Sequence, residues 1–291
     1  MIIVRLIGGL GNQMFQYALG RQLAVKNNST LKLDIQGFND YKLRNYDLSC
    51  FNILENIATS NDLSGVVLPS DRLISKVGKH IGVKLKGIQQ IQYIKEKTFN
   101  FQQEILNMGD NIYLDGYWQS EKYFSDIKKI IKKDFTVKNR PDPINESIMK
   151  EITECESVSI HIRRGDYVSN PTTSQYHGFL GLEYYQRAMR LMLEKIDNPY
   201  FFVFSDDPDW ASENIKTDSP VTYIKHNGDK NYEDMRLIST CKHHIIANSS
   251  FSWWGAWLSK SEEKVVIAPR KWFNVNTLDT KDLYLDYWNK M

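Results

Sequence analysis

The residues best equipped for chemistry are His161-Ile162-Arg163-Arg164-Gly165-Asp166-Tyr167. Two adjacent arginines offer planar, permanently charged forks that match phosphate oxygens. They follow Ser157-Val158-Ser159-Ile160, which reads as a buried strand. In an α/β sheet, a strand ending in polar residues and glycine delivers them to the carboxyl edge, where ligands bind. The predicted chemistry is neutralisation of a diphosphate, as on a nucleotide sugar, with the arginines taking up charge that builds on a leaving group. The competing account is a surface salt bridge to Asp166. The adhesion tripeptide Arg164-Gly165-Asp166 reads as chance in a cytosolic-looking chain.

Other stretches can serve the same edge. Asn248-Ser249-Ser250-Phe251-Ser252-Trp253-Trp254-Gly255 follows a strand and opens a helix, where backbone N–H groups and serine hydroxyls form an anion site. Alone it is an ordinary serine N-cap. Gly8-Gly9-Leu10-Gly11-Asn12-Gln13 resembles a dinucleotide fingerprint, but Met14 stands at the third glycine position. A tight turn with Asn12 aimed into a cleft is the safer reading. Asp207 and Asp209 form a D-x-D that can hold a divalent metal on a diphosphate, but Ser205 and Asp206 also suit the N-cap of a helix beginning at Pro208, and capping is preferred. Asp234 reads as a solvent-facing helix residue. His161 reads as a core histidine, a base contact or a general base. His243 and His244 alternate faces of a strand, which argues against a shared metal.

These groups need elements to hold them. Ile2–Leu6, a glycine turn, a helix from Gln13 to Lys26 and Leu31–Asp34 predict a β-loop-α-β unit with parallel strands. Residues 40–110 read as an irregular helical insertion, with a helix start at Ser60 and a basic, glycine-punctuated stretch from Asp71 to Gly87. Asn111–Asp115 is a strand, and Ser120 caps a helix reaching Lys133 with Phe124, Ile127, Ile130 and Ile131 on one face. Arg140-Pro141-Asp142-Pro143 is the linker. Beyond it, strands at 157–160, 200–204, 221–224, 244–247 and 264–268 alternate with helices, predicting a doubly wound parallel sheet. Lys281–Lys290 reads as an aromatic helix. The domains are therefore 1–140 and 141–291.

At 291 residues with 42% hydrophobic content, the chain can build sizeable cores. A net charge of +2 argues against nucleic-acid binding by bulk charge. Cys50, Cys155 and Cys241 are widely spaced and form no C-x-x-C, so zinc and redox chemistry lack support, and a reduced, cytosolic compartment is expected. Met1–Gly9 lacks the pattern of a signal peptide, and no run is long enough to span a membrane. A peripheral membrane contact is compatible with this.

Five stretches together resemble the α-1,2-fucosyltransferases of glycosyltransferase family 11: residues 8–17, 116–124, 161–166, 204–208 and 248–256. They span nearly the whole chain in the family's order, with residues 40–110 matching least. The resemblance implies a GT-B fold, two Rossmann-like domains facing a cleft, with GDP mainly on the second, the C-terminal helix packing back on the first, and no metal or other cofactor. It implies that Arg163 contacts the β-phosphate beside Arg164, and that Ser249, Ser250 and Phe251 close around the phosphates. His161 and Asp234 would bind guanine, a carboxylate pairing with the two N–H donors on its edge. Asn12, beside Gly11, would sit near the sugar and phosphate. The implied reaction is an inverting transfer of fucose from GDP-β-L-fucose to the 2-hydroxyl of a β-galactoside on an oligosaccharide or lipid-linked glycan. For the base, nothing selects among Asp34, Asp115 and Glu121. Two rivals are a nucleotide-dependent oxidoreductase using the Gly9–Gly11 turn and a non-catalytic carbohydrate-binding protein displaying an exposed-looking Tyr117-Trp118.

Overall fold

The structure is a computed structural model that describes residues 1–40, 44–67, 90–275 and 278–291. The basic stretch from Asp71 to Gly87 lies outside the described residues, as does the side chain of Asp166. The chain forms two compact units, one of residues 1–136 with 281–283, the other of 137–280 with 284–291.

The first unit carries a five-stranded sheet in the order β2-β1-β5-β4-β3. Its strands are β1 (Ile2–Arg5), β2 (Leu31–Asp34), β3 (Val66–Val67), β4 (Ile91–Lys95) and β5 (Ile112–Asp115), all paired in parallel. The helix Leu10–Lys26 crosses from β1 to β2 and is buried on most of its surface. It includes glutamines that serve the flanking loops. Gln13 donates to the Gly8 and Asn45 carbonyls, and Gln16 donates to the Gly116 carbonyl while accepting from Ile7 N–H.

The insertion is less helical than expected. Its described part supplies β3 and β4 to the sheet, and its helices, Ser60–Leu63 and Gln103–Leu106, are single turns. Ile91 and Ile94 are buried while Gln92 and Lys95 face solvent, a spacing of three that does not follow the two-residue period of a half-buried strand. The first of these turns begins at Ser60 as expected, and Thr59 caps it through a reciprocal box with Asp62. The helix expected from Ser120 to Lys133 is two 3₁₀ turns followed by Lys128–Asp134. Tyr123, Phe124 and Ile127 are all buried.

The second unit holds a six-stranded sheet in the order β11-β10-β9-β6-β7-β8, all parallel. Its strands are β6 (Glu156–Ile162), β7 (Pro199–Ser205), β8 (Val221–Ile224), β9 (His243–Ile245), β10 (Val266–Ala268) and β11 (Asn289–Lys290). Val158, Ile160 and Ile162 pack with Tyr185, Ala188 and Met192 of the helix Leu182–Lys195. Phe202 and Phe204, on the other face of β7, meet Ile152, Leu237 and Ile238 from the helices Pro143–Glu154 and Asn231–Thr240. Both faces are covered, which is why these strands read as apolar runs.

Two further differences concern the segments after β6 and at the C-terminal end, the latter divided between the two units. Short helices at Gly165–Ser169 and Pro171–His177 follow the paired arginines directly. The C-terminal helix is absent, because side chains there are engaged one at a time. Asp282 accepts from Phe101 N–H and Lys122, the Tyr284 hydroxyl donates to the Pro269 carbonyl, Trp288 is buried near Trp253, and the chain ends beside β10 as β11.

The helix Ser250–Leu258 lies tightly on Asn231–Thr240, and a Cβ on Gly255 would collide with Ile238. Gly255→Ala is expected to destabilise the second unit by about 1–3 kcal/mol through overpacking, read as a Tm several degrees lower by calorimetry.

Candidate active site

The second sheet reverses direction at one place. From β6 the chain builds outward through β7 and β8, then returns to place β9 on the other side of β6. The carboxyl ends of β6 and β9 therefore flank the switch point, where a crevice for ligand forms in such sheets. Arg163 and Arg164 leave β6 there, and Asn248-Ser249-Ser250 leaves β9 there.

Along β6, Ser157, Ser159 and His161 alternate with the apolar residues and carry polar contacts on the opposite face. Ser159 Oγ lies 2.8 Å from His244 Nδ1, and His161 Nδ1 lies 2.6 Å from Ser252 Oγ. His161 also packs against the Phe251 ring, with 5.2 Å between centroids. Burial pushes its imidazole down to about 4, against the pull of Asp206 and with a further push from Arg163, so it is neutral near pH 7. His161 is thereby joined to the 249–252 turn, a link invisible without the strand order.

Both arginines meet carboxylates at the carboxyl end of β7. Arg163 Nη1 lies 2.8 Å from Asp206 Oδ2, and Arg164 Nε lies 3.1 Å from Asp207 Oδ2. Arg164 also lies over the Trp210 ring at 4.0 Å. The anticipated cap changes accordingly. Asp207, rather than Ser205 or Asp206, caps the helix Pro208–Asn214, accepting from Trp210 N–H. Asp209, its partner in the D-x-D, pairs with Lys225 at 2.9 Å.

At the turn after β9, Asn248 is a structural clamp. Its amide donates to the carbonyls of His177, Gly178 and Trp272. Ser249 occupies the N-cap position of Ser250–Leu258 in extended conformation, but its hydroxyl makes no capping bond. The ordinary serine cap is therefore not what the structure shows, and the helix opens without side-chain capping.

Asp234, read as solvent-facing, is mostly buried. Asn227 donates to Asp234 Oδ1 at 2.7 Å, and Asn145 donates to Asn227 Oδ1 at 2.8 Å. Burial pushes the Asp234 carboxyl up to about 6, with Glu233 adding to the rise and the Asn227 bond opposing it. Asn227 and Asn145 carried no sequence signal, since their roles follow from which loops share an edge.

The first unit has its own switch point, between β1 and β5. Gly8 adopts φ +77°, leaving room for Asn12, whose Oδ1 accepts from Gln119 Nε2 at 2.8 Å. The glycine motif and the 116–120 loop thus meet. Trp118 is fully buried, correcting the exposed-looking Tyr117-Trp118, of which only Tyr117 reaches solvent. Trp118 takes φ +56°, and the loop is held by Glu96, whose carboxylate accepts from the Tyr117 and Trp118 N–H groups at 2.7 and 3.0 Å. Burial raises the Glu96 carboxyl, and those two bonds oppose the rise. Of the three acids considered as bases, Asp34 accepts from the Tyr113 hydroxyl, Asp115 pairs with Arg5 and Tyr93, and Glu121 pairs with Lys128. Among the described residues no helix is long and apolar enough to cross a membrane.

The profile of glycosyl transferase family 11 matches residues 1–291. An alpha-1,2-colitosyltransferase of Escherichia coli is 37% identical over 300 residues, covering 99% of this chain and 98% of that protein. The O-antigen biosynthesis glycosyltransferase WbnK of Escherichia coli is 36% identical over 305 residues, covering 97% and 98%. Galactoside alpha-(1,2)-fucosyltransferase 1 of Aotus azarae is 26% identical over 168 residues, 54% of this chain and 46% of that protein. Among solved structures, NodZ alpha-1,6-fucosyltransferase co-crystallized with GDP aligns with a TM-score of 0.51 at 14% identity, covering 87% of this chain and 90% of that one. A mutant of Arabidopsis thaliana FUT1 in complex with GDP aligns with a TM-score of 0.50 at 13% identity, covering 91% and 69%. These two likenesses concern the fold, which is of the GT-B class.

The Asp234 carboxyl binds its proton more tightly folded than unfolded, so its ionisation weakens the fold as pH rises from about 4 through about 6. Asp234→Asn is expected to stabilise the unliganded protein by about 1–3 kcal/mol at about pH 8 and to change little at about pH 4, measured by urea denaturation.

Proposed function

The chain belongs to glycosyl transferase family 11, and from that premise we propose that it transfers L-fucose from GDP-β-L-fucose to the 2-hydroxyl of a β-galactoside, with inversion. The observation that supports this most is the convergence at one switch point of Arg163, Arg164 and a helix start without side-chain capping. Such an edge suits a diphosphate, and the departing GDP is where charge builds.

In this reading Arg163 takes the β-phosphate, Arg164 adds positive field, and Ser249, Ser250 and Phe251 close around the phosphates. Asp234 accepts from the guanine edge, which requires its ionised form, and neutral His161 lines the same pocket. On the first unit, Asn12 and Gly11 serve the sugar. The transition state is oxocarbenium-like, by analogy with glycoside hydrolysis. GDP is a stable leaving group and needs no protonation. No metal is called for, since the arginines supply the countercharge. The acceptor is a glycan destined for the cell surface, consistent with the O-antigen role named for WbnK, and the enzyme works in the cytoplasm or at the inner membrane face.

A second reading concerns the donor. A relative matching 99% of this chain is named a colitosyltransferase, and colitose is fucose lacking one ring hydroxyl. A pocket that hydrogen-bonds that hydroxyl would reject colitose strongly, whereas one that does not would accept both.

Incubation with GDP-fucose and lactose plus a chelator is expected to give a product heavier by one deoxyhexose, linked to the galactose 2-hydroxyl, by mass spectrometry and linkage analysis. Transfer from GDP-colitose but not GDP-fucose would select the second reading, and no transfer or GDP binding in folded protein would sink both. Arg163→Ala is expected to cut kcat/KM by about 100-fold or more, with the protein still folded by circular dichroism. GDP affinity should fall as pH drops below about 6, where Asp234 gains its proton. A calorimetric titration that stays flat from about pH 7.5 to about pH 5 would remove Asp234 from the guanine site.

A further inference from the structure

The geometry points to Asp206 as the residue that positions Arg163 for transfer, a role that rests on the proposed diphosphate site and adds a residue to it. An arginine side chain has four rotatable bonds and surrenders much rotamer freedom when fixed. Near-attack geometry tolerates little misplacement, so a guanidinium that must meet charge on a leaving group has to be held beforehand. Asp206 is placed to do this. One carboxylate oxygen, Oδ2, receives Arg163 Nη1 at 2.8 Å, while the other, Oδ1, receives the backbone N–H of Arg164 at 2.7 Å. A single carboxylate thus fixes both the side chain and the turn it departs from. The strand register makes this clamp available, since Ile162 pairs with Ser205 and the next residues of β6 and β7 leave the sheet side by side.

Gly165 is the second observation. A Cβ on this residue would lie 2.5 Å from Asp206 Oδ2, so the carboxylate occupies the space a side chain would need. The glycine of Arg163-Arg164-Gly165 is therefore explained by the approach of Asp206. Asp206 is also absent from the cap of the following helix, which Asp207 supplies. Its carboxylate is committed to the arginine turn.

The test compares wild type, Asp206→Asn, Arg163→Ala and the double variant, in steady-state transfer and in GDP titration by calorimetry. Asp206→Asn is expected to lower kcat about tenfold or more while the donor KM changes less than about threefold, because the group it misplaces acts mainly on the leaving-group charge. In GDP binding, it should shift Kd by about threefold or more when Arg163 is present and by less than about 1.5-fold beside Arg163→Ala. Equal shifts in both backgrounds, or a kcat within about twofold of wild type, would overturn the role. Wild-type protein that binds no GDP would instead overturn the functional reading beneath it. If Asp206→Asn does not fold, Gly165→Ala keeps the carboxylate but displaces it. That variant should reproduce the fall in kcat with an unchanged donor KM, and full activity in it would equally overturn the role.

Discussion

Two guanidinium groups side by side at the end of a buried strand are the demand that the second unit has to meet. Like charges on adjacent residues repel, and partial burial raises the cost of each. The answer is two adjacent carboxylates on the neighbouring strand. β7 runs parallel to β6 in register, so Asp206 and Asp207 emerge opposite Arg163 and Arg164 and pair with them in order. The Trp210 ring beneath Arg164 completes the compensation. A parallel arrangement is required, because antiparallel strands would send the two motifs to opposite edges of the sheet. The turn after β9 brings no further carboxylate to this edge, and the Ser249 hydroxyl at its N-cap position makes no capping bond.

The polar row on β6 ties this edge to the interior. His161 is neutral because burial outweighs Asp206, and its Nδ1 contact with Ser252 joins the central strand to the first turn of Ser250–Leu258. Asp234 and His161 depart from their ordinary values in opposite directions for the same reason, since burial disfavours whichever form is charged. A carboxyl held half-protonated near pH 6 by its own fold is a destabilising feature in the empty protein. Such features persist where a ligand offsets them.

The main strands of the second sheet were legible because parallel strands covered on both faces are short apolar runs between helices. The residues at their ends were legible because glycine, serine and arginine break those runs. What could not be read depended on neighbours in space. Asp206 looked like a cap because the sequence offers Pro208 as its nearest context, while its actual partner lies 43 positions away in number and one strand away in register. β4 was missed because its buried residues, Ile91 and Ile94, are three apart and do not alternate as a half-buried strand would, and the C-terminal helix was wrongly expected because aromatic spacing alone cannot show that each ring has a separate berth. Trp118 looked exposed for lack of Glu96, whose two backbone bonds hold the loop so that the ring turns inward.

The acids of the first unit bear on how the proposed reaction must run. Asp34, Asp115, Glu96 and Glu121 each already accept a hydroxyl, a cation or backbone N–H groups. To take a proton from an acceptor, Asp115 would surrender Arg5 or Tyr93, and Glu96 would release the loop that carries Tyr117. Such a base is costly to use. A transfer whose transition state resembles an oxocarbenium ion makes little demand on it, because the bond to the leaving group is largely broken before the nucleophile must lose its proton. In the proposed reaction, Arg163 and Arg164 on the second unit would meet that early demand. In that reading most of the rate enhancement rests on stabilising the departing GDP, and little on a base.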